Sequence, residues 1–220
     1  MPAPANLRAL LAQGRHALSR GRIPEAVALI EAKPRLAARL LELLWDDDPG
    51  VAQRAADVLE RITASVSHKP SPALERILFE AKDGLIGLAA EAQPKKLRWN
   101  LALTIGRLPL TIPECRRAAA ALHTYLEDPS SIVKTAALQG LADLTRHDPS
   151  MLPAVLDLLR IHGRSGTPAM RARSRILLKL PGLKQLDAPE KRAAARPTPS
   201  RDIQQADTLT GQGEPPKSHG

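Results

Sequence analysis

Aromatic residues, cysteine and long apolar runs are all scarce in this chain of 220 residues. It holds 2 tryptophans, 1 tyrosine and 1 phenylalanine. Strands of sandwiches and barrels favour aromatic and β-branched residues, whereas closely packed helices are readily built from leucine, alanine, isoleucine and valine. The composition therefore predicts an all-α protein.

Cys115 is the single cysteine, so an intrachain disulfide and a zinc site built from several thiolates are both excluded. This is typical of a reducing compartment, and we expect a cytoplasmic protein. The histidines are scattered, none of them in an HExxH motif, and no glycine-rich phosphate loop is present. The sequence thus predicts neither metal nor cofactor, and it favours a protein that is not an enzyme.

No stretch of some twenty consecutive apolar residues is present, which predicts that no helix spans a membrane. The first 22 residues carry four arginines, and the first acid is Glu25. Such a segment has the charge of an organellar transit peptide, but it has almost no serine. An ordinary first amphipathic helix is the preferred interpretation, with Leu7, Leu10, Leu11 and Leu18 on one stripe.

The whole chain has a net charge of +9, and the positive charge is concentrated in its second half. Residues 1–94 hold 12 basic and 12 acidic residues, whereas residues 95–180 hold 14 basic and 6 acidic ones. Such a surplus attracts a polyanion or an acidic protein surface.

One helical phrase occurs four times, each time beginning at a proline and continuing with apolar residues at helical spacing. The copies are DPGVAQRAADVLERI, QPKKLRWNLALTIGRL, DPSSIVKTAALQGLADL and TPAMRARSRILLKL, aligned on Val51, Leu97, Val133 and Met170. These anchor residues are separated by 46, 36 and 37 positions. A period in this range indicates a stack of helical repeats, each burying a face that one pair of helices cannot bury alone.

Further helices are predicted between the copies, and residues 1–182 are expected to form one domain. One of them, from Leu74 to Leu88, is expected to be interrupted near Asp83 and Gly84. Residues 183–220 are predicted to be a linker with a short helix over 189–196. Their final part, from about 197, has too few apolar residues to fold and is predicted to be disordered.

The copies resemble HEAT repeats, with the third as the best match. The family phrase, an Asp-Pro turn, a valine-basic pair, two small residues and leucines three apart, falls on Asp128, Pro129, Val133, Lys134, Ala136, Ala137, Leu138, Leu141 and Leu144. The resemblance implies a right-handed α-α superhelix of antiparallel helix pairs. It also implies a structural role for Arg98, Lys134 and Arg171, whose aligned position usually meets an aspartate of a neighbouring turn. Contact of these residues with a ligand is the alternative.

The main candidate for partner binding is the last copy of the phrase. Between Leu158 and Leu186 the chain holds seven basic residues and no acid: Arg160, Arg164, Arg171, Arg173, Arg175, Lys179 and Lys184. Residues spaced i, i+4 and i+8 share one side of a helix, as Arg171, Arg175 and Lys179 do, and like charges there repel unless an anion lies opposite. We hypothesise that these three residues and Arg164 bind a partner. The alternative is the solvated outer face of a terminal repeat.

A second candidate cluster comprises Lys95, Arg98 and Trp99, a combination of cations and an aromatic ring suited to an acidic peptide or a nucleic acid. Packing of Trp99 between repeats is the favoured alternative, because large aromatic side chains are usually mostly buried. The same preference applies to Trp45.

These features predict a helical-repeat scaffold or adaptor that binds another macromolecule, most readily a protein. The second hypothesis is a nucleic-acid-binding protein similar to the HEAT-like alkylpurine DNA glycosylases. That resemblance implies a basic groove with several tryptophans and a catalytic aspartate, and no aspartate here matches by motif. A third hypothesis, catalysis by a carboxylate outside any known motif, predicts a groove containing Asp or Glu with a perturbed pKa. The sequence does not predict the oligomeric state.

Overall fold

The computed structural model describes residues 6–14, 21–64 and 71–186, and in these ranges all regular structure is helical. The helices are α1 (Leu7–Ala12), α2 (Ile23–Ala32), α3 (Leu36–Glu42), α4 (Pro49–Ala64), α5 (Pro72–Glu91), α6 (Lys95–Ile105), α7 (Ile112–Tyr125), α8 (Ser131–Leu144), α9 (Leu152–Ser165), α10 (Pro168–Leu177) and α11 (Pro181–Leu186). Short 3-10 turns follow α3 at Leu43–Trp45 and precede α9 at Pro149–Met151. The all-α prediction is confirmed for the described part of the chain.

The helices pack in two rows. Helices α2, α4, α6, α8 and α10 form a central row in which each helix contacts the next. Helices α1, α3, α5 and α7 contact one another in the same order, and α5, α7 and α9 also pack against α6, α8 and α10 respectively. Each helix of the central row beyond α2 carries one copy of the repeated phrase, so the sequence repeat corresponds to a repeat in space.

The four anchor residues are all buried. One turn further along, the chain places Ala55, Leu101, Ala137 and Ser174, each of them at most 1% exposed. Small residues in three of these four helices allow neighbouring helices to approach closely, and the leucines and isoleucines between them fill the remaining space.

The closest approach in the central row lies between α6 and α8. A Cβ atom added to Gly140 would overlap the carbonyl oxygen of Ala102 and come within 2.7 Å of Leu122 Cδ1. A Cβ on Gly106 would come within 2.6 Å of Asp143 Cβ. Glycine is therefore required at both positions by the neighbouring helix.

The predicted interruption of the helix near Asp83 and Gly84 is wrong, because α5 runs unbroken through both residues. Leu85 and Ile86 are buried against the rest of the protein, and Asp83 forms an ion pair with Arg117 of α7. Tertiary packing on both sides of Gly84 thus outweighs the low helix propensity of glycine.

The predicted burial of Trp45 is also wrong: its side chain is 54% exposed. Trp45 ends the 3-10 turn after α3, and its ring lies over the α5 backbone, 3.9 Å from the position of a Cβ atom on Gly84. It covers one side of a helix and is not enclosed between two.

The beginning of the fold follows the sequence pattern where it is described. The Asn6 side chain accepts a hydrogen bond from the backbone N–H of Arg8, Leu7 and Leu11 are buried, and Gly21 has φ of 52°. Glycine reaches this left-handed region without steric strain. Arg8 Nε lies 2.7 Å from Asp46 Oδ2, which ties α1 to the turn before α4. Leu18, predicted to share the α1 stripe, lies outside the described residues.

The C-terminal end of the fold differs from the prediction in two respects. Helix α10 ends at Leu177, so Lys179 lies in the turn after it. Helix α11 then follows, contacts α9 and buries Leu183, so the predicted domain boundary at residue 182 falls inside a helix. The predicted helix over 189–196 and the predicted disorder from about 197 lie outside the described residues. None of the described helices combines the length and the apolar character needed to cross a bilayer.

Candidate binding surface

Arg98 of α6 holds two turns of the chain together. Its Nε atom lies 2.6 Å from Asp128 Oδ2, in the turn before α8, and its Nη1 group donates to the carbonyl oxygen of Gln93. Both side chains of the ion pair are largely buried. For Arg98 the geometry is that of the structural role implied by the family resemblance, a basic residue meeting the aspartate of the adjacent turn.

Arg171 of α10 makes only half of this arrangement. Its Nη1 group donates to the carbonyl oxygen of Gly166 at 2.9 Å, again five residues earlier in the chain. Within the described ranges, however, no carboxylate lies within 4.0 Å of the Arg171 guanidinium. The same is true of Lys134, at the equivalent position of α8. Helices α8 and α10 thus keep a basic residue at this position, but no carboxylate of the described residues pairs with it.

We call Arg171, Arg175 and Lys179 the basic stripe. Counting positions from each anchor residue as 0 allows the stripe to be compared with the same positions of the earlier helices. Positions 1, 5 and 9 hold Ala52, Ala56 and Glu60 in α4; Arg98, Ala102 and Gly106 in α6; Lys134, Leu138 and Ala142 in α8; and Arg171, Arg175 and Lys179 at α10. At position 5 the first three residues are at most 1% exposed, whereas Arg175 is exposed. The stripe therefore occupies the side that each earlier helix turns toward its successor.

Apolar side chains lie exposed on the same last helix pair, α9 and α10. Ile161 of α9 is 58% exposed, Ile176 of α10 is 53% exposed and Leu180 after it is 42% exposed. Ile176 and Leu180 stand at positions 6 and 10, directly beside Arg175 and Lys179 in sequence. We call the surface made by Arg171, Arg175, Ile176 and Lys179 the terminal face; Leu180 follows it in sequence.

The other basic residues of this region are arranged differently. Arg164 is exposed in the last turn of α9, where no described carboxylate reaches it. Arg160 pairs with Asp157 one turn earlier at 2.8 Å. Arg173 Nη1 lies 3.3 Å from Gln139 Oε1 of α8, so it joins two helices and does not point away from the row. The side chain of Lys184 lies outside the described residues.

The second predicted cluster, Lys95, Arg98 and Trp99, lies at the start of α6. Lys95 is exposed, and Trp99 is half-buried and packed against the core. Because α8 packs against α6 and also against α10, it separates this cluster from the terminal face. The predicted site residues therefore form two groups, and only the group on α10 is free of a described acidic partner.

A groove of about 640 Å³ lies between the first turns of α5, the α6–α7 connection and the end of α8. Its lining is Pro72, Glu75, Arg76, Leu78, Phe79, Arg107, Pro109 and His147. Among the described lining residues Glu75 is the one carboxylate, and none is a serine, threonine or cysteine. This part of the lining thus provides an apolar wall with two guanidinium groups, one carboxylate and one imidazole, and no hydroxyl or thiol.

Asp143, in the last turn of α8, and His147, in the turn after it, were not singled out from the sequence. Burial raises the pKa of Asp143, and burial also lowers the pKa of His147. Asp143 does not line the groove, and its Oδ1 atom lies 3.3 Å from Arg146 Nη1. The i, i+4 spacing of the two residues was the available signal, but their burial, which perturbs both pKa values, depends on tertiary packing such as the close approach of Asp143 to Gly106.

No group of three or more histidine, cysteine and acidic residues is placed to hold a metal ion in the ranges that the structure describes. Cys115 is buried, and burial raises the pKa of its thiol to about 11. A thiol in this state is a poor nucleophile near neutral pH.

Comparisons with protein-family models, curated proteins and solved structures gave no match.

Proposed function

We propose that this chain is a HEAT-like α-solenoid, a right-handed superhelix of helix pairs, that works as a non-enzymatic scaffold or adaptor and binds a protein partner. The two rows of helices and the coincidence of the sequence repeat with the spatial repeat support the architecture. Solenoids of this kind expose extended surfaces suited to macromolecular partners.

One observation carries the functional part: the terminal face combines the exposed apolar side chain of Ile176 with cations that have no described acidic partner. Covering Ile176 is favourable, since apolar area gains free energy on leaving water. A protein with an acidic, partly apolar surface satisfies both components. A nucleic acid satisfies the charge but leaves Ile176 without a natural counterpart.

The test is a pull-down from source-cell lysate with the immobilised chain and with its Arg171→Ala, Arg175→Ala, Lys179→Ala variant. A Lys33→Ala, Arg35→Ala, Arg39→Ala variant removes the same charge at the other end of the chain and is the matched control. We expect the first variant to lose a protein that the wild type and the control retain. Retention of every captured protein by both variants would remove the terminal face from the proposal.

The alternative is a nucleic-acid-binding protein, and a titration of labelled duplex DNA separates it from the proposal. Binding through phosphate contacts falls steeply as salt rises. Saturable binding at low salt with that dependence, abolished in the terminal-face variant, would favour the nucleic-acid alternative. Absence of DNA binding at low salt would exclude it.

A further inference from the structure

Neighbouring helices of the central row meet through fixed pairs of positions. Position 3 of one helix donates to position 6 of the helix before it: Asn100 Nδ2 lies 3.0 Å from Asp57 Oδ1, and Arg173 Nη1 lies 3.3 Å from Gln139 Oε1. Position 10 meets position 9 of the preceding helix, since Arg107 Nη1 lies 2.9 Å from Glu60 Oε1. These pairs recur because the helices run in the same direction.

Two further pairs complete the register. Position 7 packs on position 5 of the preceding helix, as the approach of Gly140 to Ala102 demonstrates. The carboxylate of Asp128, five residues before the α8 anchor, pairs with position 1 of α6 through Arg98. Each central helix thus presents positions 1, 5, 6 and 9 to the helix that follows.

At α10 the first three of these positions are Arg171, Arg175 and Ile176, and position 9 is Lys179, in the turn after the helix. The same pairing can be applied to a helix that packs on α10. A residue just before that helix would meet Arg171, and its position 3 would meet Ile176. Its positions 7 and 10 would meet Arg175 and Lys179. Positions 3, 7 and 10 are spaced i, i+4 and i+7 and so share one face of a helix. The face that α10 leaves uncovered is therefore one that a single helix can match.

We infer that the terminal face binds an acidic amphipathic helix of a partner protein, which stacks on α10 as the next helix of the row. The partner helix carries a carboxylate before its first turn, an apolar residue at position 3 and carboxylates at positions 7 and 10. This inference rests on the proposed function and specifies the partner's chemistry. The ion pair between Glu60, at position 9 of α4, and Arg107, at position 10 of α6, supports this inference. Lys179 stands at position 9 after α10 with the opposite charge, so it calls for an acidic residue at position 10 of the partner helix.

The chain's own C-terminal segment is a poorer match for this face. Residues 187–220 hold five acidic and five basic residues, so the segment carries no net negative charge. Helix α11, which precedes it, contacts α9 and leaves Ile176 and Leu180 exposed.

The experiment uses the full chain and a fluorescent alanine-glutamine peptide of about 20 residues, long enough to form a helix in isolation. The peptide carries Asp before its first turn, Leu at position 3 and Glu at positions 7 and 10. A control peptide of identical composition has the two glutamates on the opposite face. Binding is followed by fluorescence anisotropy at low salt, because screening weakens exposed ion pairs.

We expect saturable binding of the first peptide, and binding of the control peptide weaker by about ten-fold, the size expected for two exposed ion pairs. The Arg175→Glu, Lys179→Glu variant should bind the first peptide at least about ten-fold more weakly than wild type does. The Lys33→Glu, Arg35→Glu variant has the same net charge and should bind like wild type. A peptide with Lys at positions 7 and 10 should bind the Arg175→Glu, Lys179→Glu variant more tightly than the wild type. Ile176→Ser tests the apolar contact and should weaken binding several-fold without a change in charge.

Several outcomes would overturn the inference. Equal binding of the two peptides, or equal loss in the terminal-face and control variants, would reduce the effect to general electrostatics. Binding that appears only after residues 187–220 are removed would assign the face to the chain's own segment. A dimer that the Arg175→Glu, Lys179→Glu variant dissociates would assign it to a second copy. If no peptide binds but the pull-down still loses a protein, the proposed function stands and only the helical partner is wrong.

Discussion

The helices α4, α6 and α8 differ from α10 at a single side of the helix, the side turned toward the next member of the row. In the first three, position 5 is Ala56, Ala102 or Leu138, and all three are buried. In α10 the same position is Arg175, which is exposed. Because the anchor residues are buried in all four helices, the inward side is shared. What changes is whether another helix of the row follows among the described residues, and we use this difference to distinguish residues that stabilise the fold from residues available to a partner.

The largest expected effect comes from truncating position 5 inside the row. Leu138→Ala should lower the free energy of unfolding by about 2–5 kcal/mol, because a fully buried leucine leaves a cavity that the packed helices fill only in part. Arg175→Ala, at the same position of α10, should change it by less than about 0.5 kcal/mol. Urea denaturation followed by circular dichroism measures both. Similar losses in the two variants would mean that the terminal face is also packed.

Removal of the carboxylate that Arg98 meets comes next. Asp128→Ala should destabilise by about 1–3 kcal/mol, the cost of leaving a buried polar group without its partner, because the Arg98 guanidinium stays largely buried without its counter-charge. Ser165 stands five residues before the anchor Met170, as Asp128 does before Val133. Ser165→Ala is therefore the control, and a stability change within about 0.5 kcal/mol is expected for it. Equal stability of the Asp128→Ala variant and the wild type would contradict a structural role of the pair.

The close approach of α6 and α8 predicts a loss of similar size. Gly140→Val should destabilise by about 1–3 kcal/mol, since its side chain overlaps the backbone of Ala102 and forces the helices apart. Gly87→Ala is the control, because no atom lies within 4 Å of a Cβ atom added there. It should stabilise α5 by about 0.5–1 kcal/mol through helix propensity. A neutral Gly140→Val variant would show that the row tolerates a wider spacing than the structure has.

The pairing of α5 with α7 predicts a pH dependence confined to the acidic range. The N–H of Thr111 and the ammonium group of Lys82 lower the pKa of Glu114 to about 2 from an ordinary value of 4.5. Because the folded pKa lies below the unfolded one, the stabilisation by Glu114 is fully present above pH 4.5 and is lost as the pH falls toward 2.

A Glu114→Gln variant checks this dependence through its denaturation midpoints between pH 2 and pH 6. We expect the variant to be less stable than wild type near neutral pH and the gap to close below pH 4.5. A gap that stays constant across the range would contradict the lowered pKa.

The all-α class and most helix positions could be predicted from the sequence because local signals specify them. Proline at the start of a helix, the Asn6 cap and the apolar period act within a few residues, so their effect does not depend on distant parts of the chain. The failures at Gly84 and at Trp45 have the opposite cause. In both cases contacts between α5 and distant segments determine the outcome, and a local pattern carries no information about them.

For the candidate site, the sequence named the basic residues but did not decide between partner binding and a solvated or structural role. It placed Arg98, Lys134 and Arg171 at one aligned position without distinguishing them. Only the structure reveals that Arg98 has the aspartate of the next turn, whereas Arg171 has only its own turn's carbonyl. The sequence separates Arg98 from Asp128 by 30 residues, and their meeting depends on how α6 and α8 pack.

The sequence by itself determined the helical class, the repeat and its anchors, and the concentration of positive charge in the second half, because these follow from composition and local periodicity. The tertiary structure alone decided which basic residues meet a carboxylate of a neighbouring turn and which, among the described residues, do not. It also decided burial, because position 5 is buried in each helix that a described helix of the row follows and exposed in α10. Whether a side chain serves the fold or a partner depends on what packs against it, and residues far apart in the chain supply that contact.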